Sequence, residues 1–345
     1  MKRVIALLLS LSFTLLLFGC SKIPEKPSFE EAGKIEINEV TTKQPEKDKV
    51  INIAGLKGPT AIGMSYLFKS IDEGKALNNY KYTIESDVSV VSQKLLSGEI
   101  DIAALPTNVA ASLYNKNPGK IQMISLATVG ALYLVEAGSG SESIAKLDGQ
   151  KVYVGERGTA SEYALKYLLA KAGVEANISY DFDSNEDLAA IAEKGRIMHG
   201  VLIEPYATLS TPDGGKEKVT LDLSKEWEKA VAGTDDEGSE ICGYCLVANS
   251  DFLASYSKAV SNFIREYKAS VSNVRSQTTA ADIVAGYGLI ESADAAKEVL
   301  SKCGIVCVSG NEMQEKATKY LTALFGCNKD FVGGAIPDDG FYYVK

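Results

Sequence analysis

The sequence predicts an α/β protein of two similar lobes, and three observations point there. Strand-like runs alternate with helical patterns, the mark of parallel sheets with helices on their faces. The alternation occurs twice: Val50-Ile51-Asn52-Ile53-Ala54 leads into Gly55-Leu56-Lys57-Gly58, and Lys151-Val152-Tyr153-Val154 into Gly155-Glu156-Arg157-Gly158. About 300 of the 345 residues follow the N-terminal segments, more than one hydrophobic core usually supports.

The first element is an export signal. Met1-Lys2-Arg3 precedes an apolar run over residues 4–18 and then Gly19-Cys20, the order of a secretory signal peptide spanning residues 1–19. The run is shorter than the roughly 20 residues that a membrane-spanning helix needs. Leu17-Phe18-Gly19-Cys20 resembles the lipobox of bacterial lipoproteins, which implies acylation of Cys20 and a lipid anchor in the cell membrane. Residues 20–49 are charged, carry Pro24, Pro27 and Pro45 and have few large apolar side chains, so they read as a flexible tether. Fully extended at roughly 3.5 Å per residue, it would reach about 100 Å.

Without residues 1–19 the chain loses Lys2 and Arg3, and its formal charge moves from −9 to −11. That balance argues against nucleic acid and anionic lipid surfaces as partners. Beyond Cys20 stand Cys242, Cys245, Cys303, Cys307 and Cys327, an odd set that makes no disulfide framework.

Each glycine loop opens a helical pattern, from residue 60 and from residue 160. Tyr80-Lys81-Tyr82-Thr83-Ile84 and Ile178-Ser179-Tyr180-Asp181-Phe182 then read as strands, each followed by a short amphipathic helix stopped by Gly98 or Gly195. A third strand in each copy runs into a proline, Pro106 or Pro205. Neither loop has G-x-G-x-x-G spacing, which argues against a dinucleotide-binding fold. Residues 121–136 and 241–249 form two long extended connections, expected to act as a hinge. Residues 258–273, 280–287, 293–300 and 314–325 are helical in pattern, with a short apolar run at 304–308, and are expected to return onto the first lobe. The expected domains are lobe one over residues 50–130 and 246–345, and lobe two over residues 131–245.

Four motifs carry a family resemblance: Gly55-Leu56-Lys57-Gly58-Pro59-Thr60, Asp101-Ile102-Ala103-Ala104-Leu105-Pro106-Thr107-Asn108, Gly155-Glu156-Arg157-Gly158-Thr159 and Ile336-Pro337-Asp338-Asp339. With them, residues 50–345 resemble the solute-binding proteins of nitrate, sulfonate, taurine and thiamine-precursor importers. The resemblance implies the type II periplasmic-binding fold and a small polar or anionic organic ligand. It also implies an ABC-transporter permease as partner, an extracytoplasmic location, and a monomer without cofactor. A pyrimidine-synthase branch shares the fold, but it carries a cysteine-rich motif that this sequence lacks.

In open parallel sheets, ligands sit beyond the carboxyl ends of the strands, where helix N-termini offer unpaired N–H groups. The loops at Lys57, Gly58 and Thr60, at Thr107 and Asn108, and at Gly158, Thr159 and Ser161 fit that position. Their hydroxyls either cap their own helices or cap and bind as well, and Thr159 with Glu162 has capping-box spacing. Lys57 and Arg157 match in the repeat and would attract an anion, unless each is a solvated loop charge. Glu204 would accept a hydrogen bond from an amine or ring N–H, unless it is an ordinary exposed acid. A helix N-terminus contributes about 0.3–2 kcal/mol to an anion, against about 8 kcal/mol for micromolar binding. Burial against tyrosines is expected to supply the rest, with Tyr133 and Tyr206 ahead of Tyr66 and Tyr163.

No catalytic constellation or metal site is expected. His199 is the only histidine, and its strand position suits a structural role. Cys242-Gly243-Tyr244-Cys245 has C-x-x-C spacing, but a strand-like Leu246-Val247-Ala248 follows in place of the helix that acidifies such a thiol.

Overall fold

A computed structural model describes residues 49–344, except 139, 142 and 213. The expected signal peptide, Cys20 and the tether up to residue 48 lie outside the described residues. The first unit runs β1 (Ile51–Leu56), α1 (Pro59–Asp72), β2 (Tyr80–Glu85), α2 (Val88–Ser97), β3 (Ile102–Pro106) and α3 (Thr107–Lys116). β4 (Ile121–Thr128) and β5 (Leu132–Ala137) follow. The second unit runs β6 (Lys151–Val154), α4 (Ala160–Ala172), β7 (Asn177–Ser179), α5 (Asn185–Ala192), β8 (His199–Ile203), α6 (Tyr206–Leu209), β9 (Glu217–Asp222) and α7 (Leu223–Val231). The chain ends with β10 (Tyr244–Asn249), α8 (Ser250–Ser255), α9 (Ser257–Ser276), α10 (Ala280–Gly286), α11 (Ala293–Val299), β11 (Ile305–Val308) and α12 (Gly310–Cys327).

The repeat is visible in the two sheets, ordered β11-β4-β10-β3-β1-β2 and β7-β6-β8-β5-β9. In each copy the strand after the glycine loop's helix and the strand after the next helix flank the first strand in parallel, giving β2-β1-β3 and β7-β6-β8. The next strand is antiparallel in both, β10 beside β3 and β5 beside β8. These two strands are exchanged: β5 arrives straight from β4 of the first sheet, and β10 returns from the second lobe. The chain therefore crosses between lobes twice, and the crossings touch. Gly130 N–H donates to Ile241 O at 2.8 Å, and Val129 N–H to Gly304 O at 2.9 Å.

Local chemistry sets the element ends. The Asp87 carboxylate accepts from Ser89 N and Val90 N to start α2, and Gly98 ends it at φ 76°. α7 buries Trp227, whose ring stacks on Tyr167 at 4.1 Å and whose indole N–H reaches Ser239 Oγ at 3.1 Å. Two expectations change in detail. β7 stops at Ser179, because Tyr180 leaves the sheet to donate its hydroxyl to Glu162 at 2.7 Å. α12 does not pack on the first lobe alone: it lies against β4 and α3, and also against α4, with Tyr320 beside Trp227.

Candidate functional site

The loops after β1, β6 and β8 meet the two crossings at a narrow cavity between the lobes. Pro59 comes from one lobe and Ala160, Ser161 and Glu204 from the other, with Gly130, Tyr244 and Cys303 between them. Next to Pro59, the Tyr206 ring of the second lobe lies 3.4 Å from where a Cβ on Gly58 would stand. Gly58 has φ 108°, a conformation that L side chains rarely adopt, so the backbone turn there favours glycine. A deeper glycine, Gly155, lets the second loop lie on α5: a Cβ there would sit 2.7 Å from Asn185 Cα.

Glu204 is buried rather than an exposed acid. Its carboxylate accepts from Thr208 Oγ1 at 2.7 Å and Thr208 N at 3.1 Å, and burial raises its pKa. Tyr133, on β5, is pushed up to about 12 by burial and by the nearby Asp222, Glu204 and Cys303. Ser161 is buried on the first turn of α4.

Asn108 joins the lobes, its Nδ2 donating to Gly158 O at 2.7 Å. Thr107 is buried beneath it, its hydroxyl without an oxygen or nitrogen partner. Three residues turn elsewhere. Thr60 Oγ1 accepts from Leu56 N and donates to Leu56 O, which ties α1 to its own strand. Thr159 donates to Glu156 O at 2.9 Å and makes no side-chain cap, while Glu162 does bend back and takes Gly158 N–H at 2.5 Å. The two matching bases do not converge: Lys57 pairs with Glu186 at 2.7 Å, and the Arg157 guanidinium lies over the Tyr180 ring at 5.0 Å. Tyr66 bonds Thr279 away from the cleft, and Tyr163 stacks on Phe331 at 4.1 Å.

Sequence reasoning missed a strongly perturbed carboxyl between the lobes, Glu156. Burial pushes its carboxyl up to about 7, against a smaller downward pull from the Tyr244 hydroxyl, with Asp87 adding to the rise. Asn185 Nδ2 reaches it at 3.3 Å. Tyr244, from β10, faces it across the cleft. The only signal for Glu156 was its place in the glycine loop beside Arg157.

His199 lies at the opposite end of β8 from Glu204 and hydrogen-bonds Glu136, which also accepts from Ser141 and Thr220. Cys245 stands on β10, as its neighbours suggested, and Cys242 just before it; both thiols are free, buried and raised by burial, Cys245 to about 12. Thiols so raised stay protonated and unreactive near neutrality. Among the described residues no group of three or more His, Cys, Asp or Glu is placed to hold a metal ion. Nor is any helix among them long and apolar enough to cross a membrane.

A model of the menaquinone-biosynthesis family matches residues 60–235, just over half of the chain. The chain belongs to this family. The menaquinone-biosynthesis match runs from the start of α1 past α7 and so takes in most of both units. No curated protein matches the chain in sequence. Solved structures similar to this family member include an ABC transporter protein from Parabacteroides distasonis, with 22% identity, a TM-score of 0.68, and coverage of 86% of this chain and 99% of that one. Another is the periplasmic aliphatic sulphonate-binding protein of Escherichia coli, at 15% identity and TM-score 0.66, covering 85% and 92%. A third is the periplasmic nitrate-binding protein of Synechocystis PCC 6803, at 11% and 0.54, covering 71% and 68%. At such identities the likeness establishes the fold, the type II periplasmic-binding architecture, within which this menaquinone-biosynthesis family member places its cleft.

Proposed function

We propose that the chain is the solute-binding component of an ABC importer, holding a small polar organic solute between its lobes for delivery to a membrane permease. One observation carries this reading: groups from both lobes converge on one cavity beside two adjoining crossings, so closure and binding are the same event. The likeness to periplasmic binding proteins supports it. Acylation of Cys20 would anchor the chain outside the membrane, with residues 20–49 as the tether to its permease, and the protein would act as a monomer.

A second reading is an enzyme. Glu156, near neutrality and facing Tyr244, has the pKa that a general acid or base needs at pH 7, and the family is described by biosynthesis. Mass spectrometry separates the two. Protein purified without denaturation should release about one small molecule per chain and, after rebinding, return it unaltered. Recovery of a chemically changed molecule would favour the enzyme.

A further inference from the structure

We infer that the solute held between the lobes is a small organic cation bearing N–H groups, such as a protonated amine, amidine or guanidine. This rests on the binding-protein reading above and names the solute's chemical class.

Several features that would attract an anion are already engaged. α1 begins with Pro59, which has no N–H to offer. At the head of α4 the Gly158 N–H goes to the Glu162 carboxylate, itself 2% exposed and paired with Lys166. Glu162 thus takes a donor that a sulfonate or carboxylate would otherwise use there. Lys57 is held by Glu186, and Arg157 is stacked on Tyr180.

The acids of the cleft are less fully compensated. Glu156 has no lysine or arginine ion pair among the described residues, and Glu204 has only the Thr208 hydrogen bonds and the charge of Lys302, whose ammonium bonds Thr208 Oγ1 at 3.2 Å and not the carboxylate. Buried carboxylates need a positive partner or a proton.

The neutral groups specify the same chemistry. Asn108 and Asn185 are 2% and 5% exposed, and each commits its Nδ2 to an oxygen, Gly158 O and Glu156 Oε2. Those bonds fix the amide orientations, so the remaining Oδ1 atoms are acceptors, and both are buried without a donor. One carboxylate, Glu156, and two amide oxygens around one loop, residues 155–158, fit a cation that donates several N–H bonds.

Three fractions of yeast extract provide the probe: small molecules retained by a cation exchanger, those retained by an anion exchanger, and those retained by neither. Thermal unfolding at pH 7.5 should rise by about 5 °C with the cation-retained fraction alone, the size expected for a site well above its Kd. Glu156→Gln, shown to be folded by circular dichroism, should lose most of that shift. A rise confined to the anion-retained or unretained fraction overturns the cation inference while leaving the binding-protein reading intact. A full shift in Glu156→Gln overturns the assigned site. No rise with any fraction removes the binding-protein reading and this inference with it.

Discussion

Asn108 of the first lobe donates a 2.7 Å hydrogen bond to Gly158 O of the second, and the same amide leaves its buried Oδ1 without a donor. A neutral hydrogen bond contributes about 0.5–1.5 kcal/mol net, and an unsatisfied buried acceptor costs about 1–3 kcal/mol. The two nearly offset each other in the ligand-free protein. Asn108→Ala should therefore change the apo unfolding free energy by less than about 1 kcal/mol, yet weaken solute binding about tenfold or more if the solute satisfies Oδ1. Urea unfolding and calorimetric titration together check this asymmetry.

The pH dependence of stability should carry the mark of Glu156. Its folded pKa, about 7, lies above the ordinary 4.5, chiefly through burial, with Tyr244, Asp87, Tyr206 and Asn185 around it. The folded state thus binds this proton more tightly than the unfolded state. The associated stability is fully present below about pH 4.5 and is lost as pH rises through 7, by at most about 3 kcal/mol. Urea unfolding of wild type and Glu156→Gln between pH 5 and 8 should differ by this falling component. Parallel curves would remove the assignment.

Gly155→Ala should destabilise the fold by about 1–3 kcal/mol and also weaken binding. The added Cβ would meet Asn185 Cα at 2.7 Å and Asn185 N at 2.8 Å, backbone atoms that no rotamer change can clear. Wild-type affinity in a folded Gly155→Ala protein would show that the seating of the second loop on α5 does not matter to the site.

Cys20 should be acylated. Metabolic labelling with a palmitate analogue is expected to mark the wild type and not Cys20→Ala, and equal labelling of both would overturn the lipid anchor.

The repeat was legible because its signals are local: strand patterns, glycine loops, and stops at Gly98 and Gly195 recur in the same order. Convergence of Gly58, Ser161, Glu204 and Tyr206 was legible too, since strand ends and helix starts must share one edge of a parallel sheet. Which member of a loop turns inward was not. Glu156 and Arg157 are neighbours with no periodicity to separate them, and the outcome depends on Gly155 seating the loop on Asn185 and on Tyr180 leaving its sheet to meet Arg157. Lys57 finds Glu186 at a separation of 129 residues, a pairing no local pattern encodes. Tyr244 was hidden inside the C-x-x-C spacing and is aimed by its antiparallel register opposite Pro106.

The most direct test concerns closure. Without solute, the contacts at the mouth of the cleft include the Asn108–Gly158 and Lys302–Thr208 hydrogen bonds at about 0.5–1.5 kcal/mol each, the exposed Lys57–Glu186 pair at about 0–1 kcal/mol, and the Tyr163–Phe331 stack at about 0.5–1.5 kcal/mol. The orphaned Asn108 Oδ1 and the half-buried, desolvated Glu156 oppose closure. The free protein should populate open forms, and a solute that satisfies these groups should close it. Small-angle X-ray scattering at pH 7.5 should give a smaller radius of gyration with saturating solute than without. An unchanged radius in a sample whose binding is verified by calorimetry would contradict a site formed between the two lobes.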